Sequence, residues 1–162
     1  MSLSGSKIEK LQRVFGVLSF ICTAICIATI FVLIFVSYPQ LVADVQALPK
    51  EEGMSAGIVY IVIIVFCWPV SCGIFLINSI ISIIMGCEYF KASKKSKKIN
   101  LCALIIDFLL KVISAYLCLF LSKTMIRSTD VPLFVLSMCM WVIAVVPLTN
   151  IFLQHIIKKK TN

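Results

Sequence analysis

The chain has 162 residues, 61% of them hydrophobic and 14% charged, with a formal net charge of +8 and a mean hydropathy of +1.10. A soluble domain would be about half apolar and about a quarter charged, so the composition excludes an ordinary soluble protein and points to an all-α integral membrane protein. The surplus Lys and Arg residues flank apolar runs with no aromatic platform between them, which argues against nucleic acid and for anionic lipid headgroups as the counter-charge.

In chain order, Lys7, Lys10 and Arg13 precede an apolar run at 14–37. At 1.5 Å per residue a run of about 24 residues reaches roughly 36 Å, enough to cross the hydrocarbon of a bilayer. It is too long for the apolar core of a cleaved signal peptide and predicts a retained span. Tyr38-Pro39 is expected to stop this helix, and the polar loop that follows carries Asp44, Lys50, Glu51 and Glu52. The second run, 58–86, is longer than a perpendicular span needs, so it is expected to tilt or to bend at Trp68-Pro69. Within it Ser71, Asn78, Ser82 and Gly86 recur at helical spacing, a small and polar stripe suited to close helix contact.

The stretch from Cys87 to Asn100 is lysine-rich and reads as a loop between spans. The third run occupies 99–122 and the fourth 131–157, with Pro132 in the first turn of the last helix and Pro147 expected to kink it. Lys158, Lys159 and Lys160 close the chain. Four spans joined in this way make a single transmembrane domain. Placing both ends and the lysine-rich loop in the cytosol gathers most of the basic residues there and leaves only Lys50, Lys123 and Arg127 outside, as short flanking segments require.

Asp107 and Lys111 are the sharpest chemical feature, because they lie within the third apolar run, four residues apart on one helix face with the acid first. Counted from Ile99 they sit roughly 12 and 18 Å along the helix, deep in a core about 30 Å thick. A charge at such depth costs on the order of 3 kcal/mol, so pairing inside a bundle is expected. Asn100, Ser114, Cys118 and Ser122 share that side, and the resulting seam is expected to meet Asn78 and Ser82 of the second span. A neutralising pair that fixes helix packing or docks a partner helix is the first reading. A proton or ion pathway, or a lipid or small-ligand contact, is the alternative.

Lys160 and Lys159, third and fourth when residues are counted back from Asn162 as the first, match a dilysine retrieval signal and point to the endoplasmic reticulum or early secretory pathway, with the plasma membrane or a vesicle as the alternative location and a basic stop for the last helix as the plain alternative role. Cys87 is placed for S-palmitoylation and Ser93 and Ser96 for phosphorylation, beside the lysines. The cysteines fall in the apolar runs or at the edges of the lysine-rich loop, as small packing residues would. His155 is the only histidine, phosphate-binding glycine loops are lacking, and no paired carboxylates suit acid–base work. No metal, cofactor or enzymatic activity is therefore expected.

Between Trp68 and Ser114 the chain reads W-P-x3-G-x-F-x-I-N-S-x2-S-I, then a Lys-rich turn, then Asn100 near the start of the third span. This pattern resembles the membrane-spanning four-domain subfamily A. The resemblance implies a four-helix membrane protein with cytosolic ends, often an oligomeric partner or modulator of receptors and channels. The cysteine pair common in that family's second outer loop has no counterpart between Lys123 and Asp130. Taken together, the sequence leads to a non-enzymatic four-pass adaptor or accessory subunit, assembling with a membrane partner or with copies of itself. A small oligomeric channel built on Asp107 and Lys111, and a noncatalytic subunit of a lipid-modifying complex, are the competing functions.

Overall fold

In the computed structural model, residues 5–46, 58, 62–95, 99–124 and 130–161 are described. Helix α1 (Gly5–Val32) passes through a π-helical segment, Leu33–Ser37, into α2 (Tyr38–Gln46). A second π-helical segment, Ile63–Cys67, leads into α3 (Trp68–Lys95), and α4 (Leu101–Thr124) and α5 (Asp130–Thr161) complete the chain. No strand occurs among the described residues. Four stretches are long and apolar enough to cross a membrane, Ile8–Gln40, Val65–Ser93, Leu101–Ser122 and Leu133–Gln154. The all-α architecture expected from hydropathy is thus present.

Several ends differ from expectation, each for a physical reason. Tyr38-Pro39 does not stop the first helix. The wider π turn lets the Tyr38 N–H reach back to the Leu33 carbonyl, which opens the room that a proline ring takes from the preceding turn. Ser37 Oγ donates to the Val32 carbonyl at 3.3 Å, so a hydroxyl serves the disturbed backbone where no water would. Trp68-Pro69 is handled in the same way by the π segment before it, and Ser71 Oγ donates to the Cys67 carbonyl at 2.7 Å. Pro147 lies inside the last helix, as its sequence position implied.

The lysine-rich loop is shorter than expected, because α3 continues to Lys95 and takes up the stretch from Cys87 onward. At about 1.5 Å per residue α3 is roughly 42 Å long, more than the hydrocarbon needs. Its extra turns are held by α1, which begins at Gly5 rather than near Val14. Ser93 Oγ donates to the Glu9 carbonyl at 3.0 Å and accepts from Arg13 Nε at 3.2 Å. Helix α4 starts with Asn100 as its cap, whose Oδ1 accepts from the Cys102 N–H at 3.0 Å. Helix α5 carries on through the terminal lysines to Thr161.

The helices close into a ring. Helix α1 packs most extensively on α3, and α4 on α5; smaller faces join α3 to α4 and α1 to α5. Bonds at two heights make α1 and α3 antiparallel, Thr23 to Ser79 and Ser93 to Glu9, and likewise α4 and α5, Ser137 to Ala115 and Gln154 to Ile99, while the short link after Lys95 brings the end of α3 to the start of α4. The start of α1, the end of α3, the start of α4 and the end of α5 therefore share one end of the bundle, and most of the basic residues gather there.

Two glycines set the closeness of α1 and α3. A Cβ on Gly16 would lie 2.8 Å from the Phe90 ring, and one on Gly86 would lie 3.0 Å from the Phe20 ring. Each helix thus seats its phenylalanine on the other's glycine, with the two rings 6.1 Å apart. Phe15 and Tyr89, at 5.8 Å edge to face, continue the contact. Replacing Gly16 or Gly86 by Leu is expected to lower stability by about 1–3 kcal/mol, as overpacking does, measured by unfolding in detergent micelles.

Candidate functional site

Helix α4 supplies the centre of the site, since Asp107, Lys111, Ser114 and Cys118 follow one another at three- and four-residue steps and all face inward. Asp107 and Lys111 are both 0% exposed, and Lys111 Nζ donates to Asp107 Oδ1. In a low-dielectric interior two such charges persist only as a pair. Across the α3–α4 face, Asn78 Nδ2 donates to Ser114 Oγ at 2.9 Å, and Ser82 Oγ donates to Asn78 Oδ1 at 3.5 Å. The five seam residues expected from sequence, Asn78, Ser82, Asp107, Lys111 and Ser114, are all buried within one chain.

Helix α1 adds a layer that the sequence did not single out. The buried Cys22 and Cys26 stand beside each other, with Cys22 also beside Ser82, and both lie within electrostatic reach of Lys111. The available signal was the step from Ser19 through Cys22 and Thr23 to Cys26 and Thr29, a small polar stripe at helical spacing. Thr23 Oγ1 donates to the Ser79 carbonyl at 3.4 Å as well as to Ser19 in its own helix. From the other side, Ser137 Oγ donates to the Ala115 carbonyl at 2.8 Å and Gln154 Nε2 to the Ile99 carbonyl at 3.1 Å. Tyr89 and Asn150 are buried too and were likewise missed.

The remaining candidates lie apart from this seam. Asn100 is an exposed cap and Ser122 donates to the Leu119 carbonyl of its own helix, so neither joins it. Cys87 is exposed on α3, while Ser93 is buried with its hydroxyl engaged by Glu9 and Arg13. Ser96 lies outside the described residues. Lys159 and Lys160 belong to the last turn of α5, and their side chains lie outside the description. All eight cysteines are free, and no metal-holding group of His, Cys, Asp or Glu occurs among the described residues.

Comparison with known proteins found no matching family model, no similar curated protein and no similar solved structure. The site is therefore read from its own chemistry. That chemistry is a hydrogen-bonded contact between α3 and α4 through Asn78 and Ser114, set beside the Asp107–Lys111 pair of α4.

Removing one partner of a buried ion pair leaves the other uncompensated. Lys111→Met is expected to cost about 3–5 kcal/mol, and adding Asp107→Leu to it should recover most of that loss. Asn78→Leu should cost about 1 kcal/mol, the scale of an interhelical hydrogen bond in a membrane. Reversible unfolding in mixed micelles, run as a double-mutant cycle, measures all three.

Proposed function

We propose that this chain is a non-enzymatic four-pass membrane adaptor or accessory subunit, with both ends in the cytosol, that assembles laterally with another membrane protein or with copies of itself. One observation carries the proposal: the charged pair in the middle of the third span is turned into the bundle, and large apolar side chains cover much of the outer surface, with exposed charges such as Arg13 and Lys91 near the lysine-rich end. Phe35, Phe66, Val142 and Phe152 are each more than 60% exposed, while Asp107 and Lys111 are not exposed at all. Such a surface suits lipid and other spans, and offers no polar lining for a path between copies. Cytosolic ends follow from the gathering of basic residues at one end of the bundle. The likeness of the Trp68–Ser114 stretch to the membrane-spanning four-domain subfamily A agrees with a partner or modulator role.

Crosslinking in native membranes, followed by identification of the captured proteins, tests the adaptor reading, and a reproducible membrane-protein partner is expected. Reconstituted protein is expected to give no current. A conductance abolished by Asp107→Asn would establish the oligomeric channel in its place, and capture of a lipid-modifying enzyme would identify the accessory role as that of its noncatalytic subunit.

Residence in the endoplasmic reticulum or early secretory pathway rests on the dilysine-like end. Changing Lys159 and Lys160 to Ser is expected to release the protein to later compartments, seen by fluorescence microscopy. An unchanged location would leave these lysines as a basic stop against anionic headgroups.

A further inference from the structure

Of the eight free cysteines, two combine exposure with one particular depth. Cys22, Cys26 and Cys118 are buried in the bundle. Cys67 and Cys72 are half-buried and precede Asn78, so they lie toward the end away from the lysines. Cys139 is exposed, but it stands two residues from Ser137, whose bond to the Ala115 carbonyl sets it near the middle of the bundle. Cys87 and Cys102 are exposed and belong to the lysine-rich end, one on α3 and one on α4.

The hydrogen bond from Asn78 to Ser114 fixes their depth, since Asn78 is close to the middle of the span Val65–Ser93. Cys87 follows Asn78 by nine residues and Cys102 precedes Ser114 by twelve, on antiparallel neighbours. At 1.5 Å per residue they stand roughly 14 and 18 Å from mid-span. Half of a hydrocarbon core about 30 Å thick is about 15 Å, which sets both at the boundary with the headgroups. Each cysteine also ends an exposed apolar stripe. Ile80, Ile83 and Ile84 lie seven, four and three residues before Cys87, and Ile105, Ile106 and Leu109 lie three, four and seven after Cys102; all six are at least 42% exposed. Lys91, one turn beyond Cys87, is exposed to the aqueous side. Both thiols therefore face acyl chains in one direction and a basic, wet surface in the other.

We propose that Cys87 and Cys102 form a paired S-acylation site, to which the sequence alone contributed only Cys87. The donor is a long-chain acyl-coenzyme A. The thiol sulfur attacks the thioester carbonyl, a new C–S bond forms as the bond to coenzyme A breaks, and the thiol proton ends on the departing coenzyme A thiolate. Nothing is oxidised or reduced. The transferred chain lies along the apolar stripe of its own helix, and the lysines of this end attract the phosphates of the donor. The proposal rests on the cytosolic placement of the lysine-rich end, because the donor is cytosolic, and not on the adaptor role.

Acyl exchange on the full chain, taken from membranes of cells that express it, tests the proposal. Free thiols are blocked, thioesters are opened with hydroxylamine, and each thiol released is tagged with a maleimide polymer of fixed mass. Wild type is expected to show species with one and two tags, Cys87→Ser and Cys102→Ser at most one, and the double variant none. Cys139→Ser, exposed but at mid-span, is expected to match wild type. The proposal is overturned if wild type never carries two tags, if either single variant at the boundary still does, if the double variant keeps one, or if Cys139→Ser lowers the count. All three side chains point out of the bundle, so these variants leave its interior unchanged. An epitope at the N-terminus, reached by antibody when only the plasma membrane is opened, reports orientation separately. A failure of acylation is thereby told apart from a failure of the cytosolic placement.

Discussion

One buried ion pair imposes most of what the molecule looks like. Asp107 and Lys111 sit in a helix long and apolar enough to cross a membrane, where a charge turned toward lipid at mid-span would be costly. Helix α4 must therefore turn this face inward and be enclosed, and helices α1, α3 and α5 supply the enclosure. The pair also sets what the neighbours carry. Asn78, Ser82, Cys22 and Ser137 gather on the inward faces, where polar groups have partners, and large apolar side chains point outward. In water the same arrangement would be inverted.

The two helix pairs share one device and differ in another. Helices α1 and α3 approach through Gly16 and Gly86, each filled by a phenylalanine from the other side, and are also tied by Thr23 to the Ser79 carbonyl and Ser93 to the Glu9 carbonyl. Helices α4 and α5 are tied by hydroxyl and amide bonds to backbone carbonyls, Ser137 to Ala115 and Gln154 to Ile99. A side chain that donates to a carbonyl fixes register along the axis, whereas a ring on a glycine fixes distance. The hydrogen bond from Asn78 to Ser114 then joins one pair to the other beside the charges.

Much of this was legible in the sequence, because hydropathy and helical spacing report directly on lipid exposure. The four spans and the inward turn of Asn78, Ser82, Asp107, Lys111 and Ser114 follow from the cost of polar groups in hydrocarbon. Helix ends were less legible. Pro39 and the lysines after Cys87 are ordinary stop signals, yet a π turn accommodates the first, and Ser93, donating to the Glu9 carbonyl and accepting from Arg13, ties α3 to α1 beyond Cys87. Both depend on contacts or turn geometry that local composition does not encode. Tyr89 and Asn150 were missed for a similar reason: their burial depends on which face each helix turns inward, which only the closed ring of helices decides.

The paired π segments have a consequence for the geometry beyond them. A π turn holds about one more residue than an α turn, and one residue is worth about 100° of rotation about the axis. Each segment therefore acts as a phase shifter: it resets the azimuth of everything on its far side without breaking the rod. Tyr38 and Trp68 each follow such a shift directly, and their rings meet edge to face at 6.0 Å. The two corrections are made at the same height on neighbouring helices, so the aromatic contact at that end reports that the helices have slipped in step.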